Sequence, residues 1–470
     1  MELLAWLMLA LPFVVAGAIG LALPLMAVLS YRRLAWGLGL MTAAMLADVL
    51  VLSAPVMRIG LTLFVADVPM VLLATMAALR WLLRDDLPRR DGAWLLLVAV
   101  FGLGLAIGLL RHGTAAGVAA RGDFYALAAA SYTMSFAIGQ REMAALHRTI
   151  TAAAGLLLLL TLYRWLVVYG PIKELLPPHG IYNNDGEIRV VWAQAALLMA
   201  EVAVLGLFHG RPGSGLALAR WLAAPLMACV VVLQHRSVWL AAVAGVLVAL
   251  LMVRRQRASR FQQLGLVIAL AAASVLPLMV SERLATQLGG SVQAALAGQG
   301  TVHARLENWR ASLQNWAGHG ALALAIGDEP GADKARTVET EAGELRKISY
   351  SAHNHYVALL TGSGVLGLVA YAWVLLRVLR GLLRAPPAKH KTEDTAKADG
   401  PAEARHAPEA GAVLMVLVGM QLVYYVSYGS DFLQFAFFGM ALAWVAGQPK
   451  PLSSTPTPLR RPTQAMRGSA

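Results

Sequence analysis

The sequence predicts an all-α polytopic membrane protein, and its composition and the length of its apolar runs are the two observations that predict it. Hydrophobic residues make up 58% of the 470 residues and charged residues only 14%, and the mean hydropathy is +0.62. A soluble globular domain carries about 25% charged residues. Apolar runs of the roughly 20 residues needed to cross about 30 Å of hydrocarbon recur along nearly the whole chain. We therefore predict about twelve or thirteen transmembrane helices and one large loop that carries short amphipathic helices.

The predicted spans follow one another with short connections, apart from one long break. The amino-terminal run Leu3–Ser30 predicts either one long tilted helix or a short hairpin broken near Pro12 and Gly17. The remaining spans are predicted at Leu34–Ser53, Ile59–Arg80, Ala93–Leu110, Tyr125–Gly139, Ile150–Tyr169, Val190–Phe208, Gly215–Leu233, Ser237–Val253, Leu264–Val280, His355–Leu376, Gly411–Ser427 and Phe432–Gln448.

Basic residues in the short loops predict the orientation, because positively charged loops stay on the cytoplasmic side. The loops that begin at Tyr31, Arg80, Gln140 and Arg254 are basic and alternate correctly as inner loops. We expect helices with short loops at 1–280, a large outer cap at 281–352, helices with a basic cytoplasmic linker (378–410) at 353–448, and a disordered cytoplasmic tail at 449–470. Much of the formal net charge of +13 lies in these inner loops and the tail, which predicts contact with membrane lipids and not with nucleic acid.

The outer segment 281–352 is too long for a simple connector and carries charges of both signs, so it predicts a small structured cap. Within it, ARLENWRASLQNW places Leu306, Trp309, Leu313 and Trp316 on one stripe of a helix. This spacing is typical of an interfacial helix with tryptophans at the depth of the lipid headgroups. Arg305 lies at the edge of the stripe, either at the depth of the lipid phosphates or as a solvated flank.

A tight turn brings another arginine to the outer interface. VVLQHRSVWLAA leaves about four polar residues between two apolar runs, so Arg236 lies at or just below the interface. Arginines near helix ends also reach the interface for purely structural reasons, so both interpretations stay open. Arg189, just before a span, and Arg164, near the outer end of another, carry weaker forms of the same argument.

Two histidines, His353 and His355, mark the start of a predicted span. They make a poor metal site, because residues two apart on a helix point about 200° apart and no third ligand is close in sequence. At a helix amino terminus the positive end of the dipole favours neutral imidazole, which accepts a proton. The same end attracts phosphate. The alternative is a pair of interfacial histidines that cap the helix.

Carboxylates offer no convincing metal site either. The stretch GDEPGAD, residues 327–333, is typical of a solvated turn. Asp48 and Asp67 lie inside apolar runs, where a carboxylate is expensive, and we assign both to structural hydrogen bonding. The sequence therefore predicts no metal and no cofactor.

Three motifs resemble those of the bacterial O-antigen ligases, within the wider family that these share with the O-antigen polymerases. The matching residues are His353, Asn354, Gly364 and Gly367 in H-N-x9-G-x-x-G, Arg236 in the hairpin HRSVWLA, and Arg305 and Trp309 in ARLENW. The family usually has Ser or Gly-Ser before the hairpin arginine, whereas Gln234 and His235 precede it here.

This resemblance implies a glycosyltransferase that moves O-antigen polysaccharide from undecaprenyl diphosphate to a sugar hydroxyl of the lipid A core, at the periplasmic face of the bacterial inner membrane. Such a reaction needs positive charge for the leaving diphosphate and one base for the acceptor proton. We assign diphosphate binding to Arg236 and Arg305 and the general base to His353, in a metal-independent, inverting reaction. The supporting residues are Asn354, His355, Arg189, Arg164 and Trp309.

Other functions stay open at this point. An O-antigen polymerase or a protein O-oligosaccharyltransferase of the same family would differ in its acceptor. A membrane transporter would need broken helices in matched halves or charges along an inner path, and the sequence shows neither. Gly362, Gly364 and Gly367 form either a close-packing helix face or room for a polyprenyl tail.

Overall fold

The computed structural model describes residues 22–51, 57–59, 61–84, 92–169, 189–210, 215–254, 293, 301–339, 345–349, 352–384 and 408–448. The predicted run before residue 22, the span Leu264–Val280, the linker at 385–407 and the tail at 449–470 lie outside the described residues.

The described residues are mostly helical. The helices are α1 (22–32), α2 (Leu34–Val51), α3 (Asp67–Leu83), α4 (Gly92–His112), α5 (Thr114–Ala119), α6 (Arg121–Met134), α7 (Gln140–Tyr169), α8 (Ala193–His209), α9 (Ala217–Val232), α10 (Arg236–Arg254), α11 (Thr301–Ala317), α12 (Ala321–Ile326), α13 (His355–Arg384), α14 (Pro408–Tyr424) and α15 (Phe432–Ala446). Two antiparallel hairpins pair β1 (Met57–Ile59) with β2 (Leu61–Leu63) and β3 (Arg336–Glu339) with β4 (Leu345–Ile348).

Apolar helices dominate this architecture. Among the described residues, three helices are both long and apolar enough to cross a membrane, and they are α4, α7 and α13. Shorter apolar helices, α2, α8, α9, α10, α14 and α15, accompany them. The predicted class, an all-α polytopic membrane protein, is confirmed, while the number of spans and the division into regions stay predictions.

The span predicted from Ile59 begins later, at Asp67, because residues 57–63 form the first hairpin instead. The Asp67 carboxylate accepts the backbone N–H of Phe64 at 2.7 Å, which turns the chain out of the hairpin. Pro69 lies in the first helical turn, where its missing N–H breaks no helical hydrogen bond.

Asp67 also ties α3 to α6. Its second carboxylate oxygen accepts the hydroxyl of Tyr125 at 2.5 Å and pairs with the Arg121 guanidinium at 3.1 Å. The structural role predicted for Asp67 is therefore confirmed, and these bonds explain why a carboxylate persists beside apolar spans.

Two nearly fully buried helices, α8 and α15, form the centre of the bundle. α15 packs against α6 and α8 against α9. At the first of these contacts a Cβ on Gly439 would lie 2.7 Å from the Cα of Ala130, so only glycine permits this approach. Thr133 donates its hydroxyl to the carbonyl of Ala436 at 3.0 Å across the same contact. Small residues and interhelical hydrogen bonds of this kind hold membrane helices together.

The cap consists of α11, α12 and the hairpin of β3 and β4, and α12 docks on α13. α13 breaks at Gly364, which has φ 64° and ψ −170°. A Cβ there would come within 2.5 Å of the backbone nitrogen of Ile326. Gly364 therefore serves close backbone packing of the cap, the first of the two interpretations of the glycines. Gly362 is different, because a Cβ at that position would meet nothing within 4 Å.

Candidate active site

His353 lies in the short segment that joins the cap to α13. Its φ of 49° is in the left-handed region, which is uncommon for a non-glycine residue, and residues with such strained backbone cluster at functional sites. The next residue, Asn354, is buried, and its side-chain oxygen accepts the backbone N–H of Val357 at 3.0 Å. Asn354 therefore caps α13, and His353 stands just outside the amino terminus of the helix with an exposed side chain.

His355 belongs to the core of the bundle. Its ring is buried among four aromatic rings, and its centroid lies 4.5 Å from that of Tyr425 and 5.4 Å from that of Tyr371. Its backbone N–H donates to the carbonyl of Tyr425 at 2.9 Å. His355 therefore fixes the start of α13 against the end of α14, while its predicted role of orienting the base or the acceptor stays a prediction.

Trp309 joins the cap helix to the segment that carries His353. Its indole N–H donates to the carbonyl of Ala352 at 2.7 Å. Trp316 is buried and donates to the carbonyl of Ala323 at 2.9 Å. α11 forms as predicted, and both tryptophans bind protein carbonyls. Their predicted place at the depth of the lipid headgroups stays a prediction.

Arg305 lies on α11, one turn before Trp309. Its guanidinium carbon is 5.1 Å from the centroid of the Tyr428 ring, a distance at which a cation is attracted to the ring face. Tyr428 belongs to the segment between α14 and α15, so this contact joins the cap to the bundle.

Two positive charges act on His353. Loss of hydration against neighbouring protein atoms lowers the pKa of His353, and the charges of Arg305 and Arg336 lower it further. Arg336 is buried at the start of β3, where its guanidinium binds the side-chain oxygen of Asn308, with one bond of 2.8 Å, and the carbonyl of Lys334 at 3.1 Å. Neutral imidazole, the form that accepts a proton, is therefore favoured at His353.

Arg236 begins α10, directly after the tight turn that leaves α9. Gln234 in this turn has a φ of 54°. The buried ring of His235 donates from Nε2 to the carbonyl of Val191 at 3.0 Å, and Arg189 donates to the carbonyl of Gln234 at 3.4 Å. Gln234 and His235, which depart from the family's usual pattern, thus fix the turn to the segment before α8.

Three arginines form an arginine cluster, namely Arg189, Arg236 and Arg305. The positive charges of Arg189 and Arg305 both act on the guanidinium of Arg236. Like charges that lie close together repel one another, and a bound anion relieves this repulsion. Because Arg305 also acts on His353, the cluster and the histidine belong to one neighbourhood.

Arg164 differs from the arginines of this cluster because its guanidinium binds buried backbone carbonyls. It is only 3% exposed, and it donates to the carbonyls of Val49 and Val190, both at 2.8 Å. These bonds tie α7 to α2 and to the segment that enters α8. These bonds give Arg164 a structural role, and the supporting role in the site stays a prediction.

A cavity of about 490 Å³ lies beneath the cap, and we call it the cap cavity. Its wall includes Ala352, the residue before His353, and Ser312 and Asn315 from α11. Lys334 and Arg336 add positive charge to it. The cavity therefore provides polar space next to the histidine.

A second cavity, of about 360 Å³, has Trp192 at the start of α8 and Ser430 before α15 in its wall. Asp48 and Asp431 both line it. Asp48 was predicted to serve structural hydrogen bonding, and Asp431 was not predicted as a site residue. Burial raises the pKa of Asp431 to about 6. The polar run SYGSD between two apolar spans was the signal that could have identified this segment.

Metal ligands are not grouped in the part of the chain that the structure describes. Within those residues, no three His, Cys, Asp or Glu side chains lie close enough together to hold a metal ion. The charges that converge on His353 are instead guanidinium groups.

A protein-family model with the description O-antigen ligase matches residues 221–372. The matched stretch runs from α9 to the middle of α13 and contains Arg236, Arg305, Trp309 and His353. No curated protein and no solved structure matches the chain.

Proposed function

Through residues 221–372 this chain is a member of the O-antigen ligase and polymerase family, and from that premise we propose that it transfers O-antigen polysaccharide from undecaprenyl diphosphate to a sugar hydroxyl of the lipid A core. Membership supports a membrane glycosyltransferase of the ligase or polymerase type. The donor, the acceptor and the roles of individual residues are our proposal, as are the inner membrane as its location and the periplasm as the compartment of the site.

One arrangement carries this proposal: Arg305 lies on α11, whose Trp309 binds the carbonyl of the residue before His353 at 2.7 Å, and the charge of Arg305 acts on both Arg236 and His353. Two guanidiniums therefore lie near each other and near a potential base. Guanidinium groups form paired, charge-assisted hydrogen bonds with phosphate oxygens and stay charged at any working pH. Arg236 and Arg305 bind the diphosphate in our scheme, and Arg189 adds a third charge beside them.

The reaction follows as a single displacement. The acceptor hydroxyl attacks the anomeric carbon of the donor sugar from the face opposite the diphosphate, and His353 takes the hydroxyl proton. The bond from the anomeric carbon to the diphosphate oxygen breaks, and undecaprenyl diphosphate leaves with the electron pair. Configuration at the anomeric carbon is inverted because no covalent sugar intermediate forms. The arginines stabilise the charge that grows on the leaving oxygens, the task that a metal ion performs in other enzymes.

Substrate binding also tunes the base. Arg305 and Arg336 lower the pKa of His353 in the free protein, after the larger effect of lost hydration. A bound diphosphate brings negative charge to the same place and offsets these arginine charges. His353 therefore becomes a stronger base when the donor is bound, at the point where it must remove a proton.

Transfer by the purified full-length chain tests the proposal. Lipid-linked O-antigen and rough lipopolysaccharide are incubated with the protein in excess EDTA, and the product is followed by its shift on a gel. We expect transfer by the wild-type chain and none by His353→Ala. Loss of transfer that a single divalent ion restores would overturn the metal-independent scheme. Transfer to a second lipid-linked glycan or to a pilin-like protein, but not to lipopolysaccharide, would identify a polymerase or a protein glycosyltransferase instead.

A further inference from the structure

The cap cavity continues into an apolar cleft of about 280 Å³ between α3, α4, α6 and α13. Most of the wall of this cleft is apolar or small, for example Ala78, Val98, Gly104 and Leu127. The cleft and the cap cavity share Ala119, Asp328 and Lys334. A polar chamber under the cap and an apolar chamber among the helices therefore meet at a charged mouth.

α11 aligns the cap cavity with the rest of the site. Arg305 belongs to the arginine cluster, Trp309 holds the carbonyl of Ala352 next to His353, and Ser312 and Asn315 line the cap cavity. A helix rises about 1.5 Å per residue, so Trp309 lies about 6 Å and Ser312 about 10 Å beyond Arg305 along the helix axis. Arginine cluster, histidine and cap cavity thus follow one another in that order.

This order fits the geometry of an inverting displacement. The nucleophile attacks from the side opposite the leaving group, and the base lies on the side of the nucleophile. If the diphosphate occupies the arginine cluster, the acceptor hydroxyl approaches from the far side of His353, where the cap cavity lies. Polar side chains there, such as Asn315, Lys334 and Thr361, are suited to bind sugar hydroxyls or phosphates.

We propose that the cap cavity and the apolar cleft together form the acceptor site, in which the first holds the sugar headgroup and the second an acyl chain of a glycolipid. This inference rests on the proposed function, because it takes the acceptor to be a membrane-anchored glycan. The polyprenyl chain of the donor is the competing occupant of the cleft. Asp328 lines the mouth of the cleft beside Lys334, and Asp123 lines the cleft itself. These carboxylates offset the charge of Lys334, so the mouth has no excess of positive charge to hold a diphosphate. The arginine cluster, at the opposite end of this row, attracts one.

Gly104 offers a direct test of the cleft. It lines the cleft, and a Cβ built at this position would meet nothing within 4 Å. Gly104→Leu therefore adds an apolar side chain to the cleft at a position where the Cβ meets no neighbouring atom within 4 Å. A Cβ on Gly39 in α2 would likewise meet nothing within 4 Å. Gly39 is exposed and lines neither the cleft nor the cap cavity, so Gly39→Leu is the control for adding a leucine side chain to an apolar helix outside the site. Both full-length variants are reconstituted in nanodiscs, and their thermal unfolding midpoints are compared with the wild type.

Michaelis constants for each substrate give the result. We expect Gly104→Leu to raise KM for rough lipopolysaccharide by at least about fivefold and to leave KM for the lipid-linked donor within about twofold, because the lost acyl contacts belong to the acceptor. Deacylated core oligosaccharide should show no change in KM between Gly104→Leu and the control. A raised KM for the donor would assign the cleft to the polyprenyl chain. No change in the KM of either substrate would show that neither lipid binds in the cleft. Either result overturns the proposal.

Direct binding separates failure of this inference from failure of the proposed function. Binding of rough lipopolysaccharide is measured on the His353→Ala protein, with and without Gly104→Leu. This measurement needs no turnover. Lys334→Gln probes the headgroup in the same assay, against Lys347→Gln on the exposed face of β4 as control. We expect Gly104→Leu and Lys334→Gln each to weaken binding by at least about fivefold. Equal binding by all variants would overturn the proposal, even where the wild-type chain shows no transfer.

Discussion

Trp309 donates its indole N–H to the carbonyl oxygen of Ala352 at 2.7 Å. The bond joins the helix that carries Arg305 to the residue before His353. It therefore helps to set the distance between the proposed diphosphate-binding arginine and the proposed base. The sequence motifs contain both Arg305 and His353. Only the fold explains why the motif of Arg305 also contains Trp309, whose hydrogen bond links the two residues.

Replacement of this tryptophan should therefore slow the reaction more than it destabilises the protein. Trp309→Phe keeps an aromatic ring and loses the hydrogen bond, which contributes about 0.5–1.5 kcal/mol. We expect kcat to fall by about three- to tenfold. Trp316→Phe, which loses a similar bond to Ala323 within the cap, should lower the unfolding midpoint and leave kcat per folded molecule nearly unchanged. Equal losses of kcat in both variants would contradict a positioning role for Trp309.

His353→Ala should remove the general base and leave the fold intact. The side chain is exposed, so its loss leaves no large cavity, and we expect kcat to fall by about 100- to 10,000-fold. The unfolding midpoint and donor binding should stay close to wild type. His319→Ala, at an exposed histidine of the cap that binds Asp328, is the control and should keep activity within about threefold. Near-normal transfer by His353→Ala would eliminate the proposed mechanism.

Arg305→Lys should fail even though it keeps the positive charge. An ammonium group cannot reproduce the two parallel hydrogen bonds of a guanidinium to phosphate oxygens. We expect kcat/KM to fall by at least about tenfold. Arg310→Lys, at an exposed position on the same helix, should have no measurable effect. Full activity of Arg305→Lys would show that the residue supplies charge alone.

Arg164 should affect stability and not chemistry. Its two bonds to the carbonyls of Val49 and Val190 are buried. Arg164→Gln should lower the free energy of unfolding by roughly 1.5–3 kcal/mol, as expected for lost hydrogen bonds to a charged group. Arg148→Gln, on the exposed face of the same helix α7, serves as control. Lost activity in Arg164→Gln with an unchanged unfolding midpoint would show that Arg164 takes part in the reaction.

The fold class could be predicted from the sequence because a bilayer imposes one strong requirement: long apolar helices that satisfy their own backbone. The residue at which α3 begins could not be predicted from the sequence, because the hydrogen bond from the Phe64 backbone N–H to the Asp67 carboxylate depends on side-chain geometry. Boundaries at polar residues near spans are therefore the least predictable part.

The candidate site was predictable where residues belong to a motif, as for His353, Arg236 and Arg305. It was not predictable where tertiary packing decides. His353 and His355 are the same residue type two positions apart, and only the aromatic rings of α14 and α15 place one in the core. Arg336 acts on His353 by its charge from the cap hairpin. The sequence shows no signal for this hairpin.

Arg336 provides the sharpest pH test. A general base must be neutral, so kcat/KM falls as the pH drops through the pKa of His353 in the free enzyme. That pKa is lowered by lost hydration and by the charges of Arg305 and Arg336, so the acid limb of the wild-type profile should lie below the ordinary value of about 6.5. Arg336→Gln removes one positive charge, which raises the pKa and moves the limb to higher pH.

Arg336→Lys is the matched control for this shift. It keeps the charge near His353 and disturbs the bonds to Asn308 and Lys334 in much the same way as Arg336→Gln. The two variants should therefore lose similar stability, while only Arg336→Gln shifts the acid limb of kcat/KM, measured between about pH 5 and 8. An identical limb in both variants would mean that Arg336 acts on the cap alone. A shift to lower pH in Arg336→Gln would mean that the titrating group is not a histidine held neutral by nearby arginines.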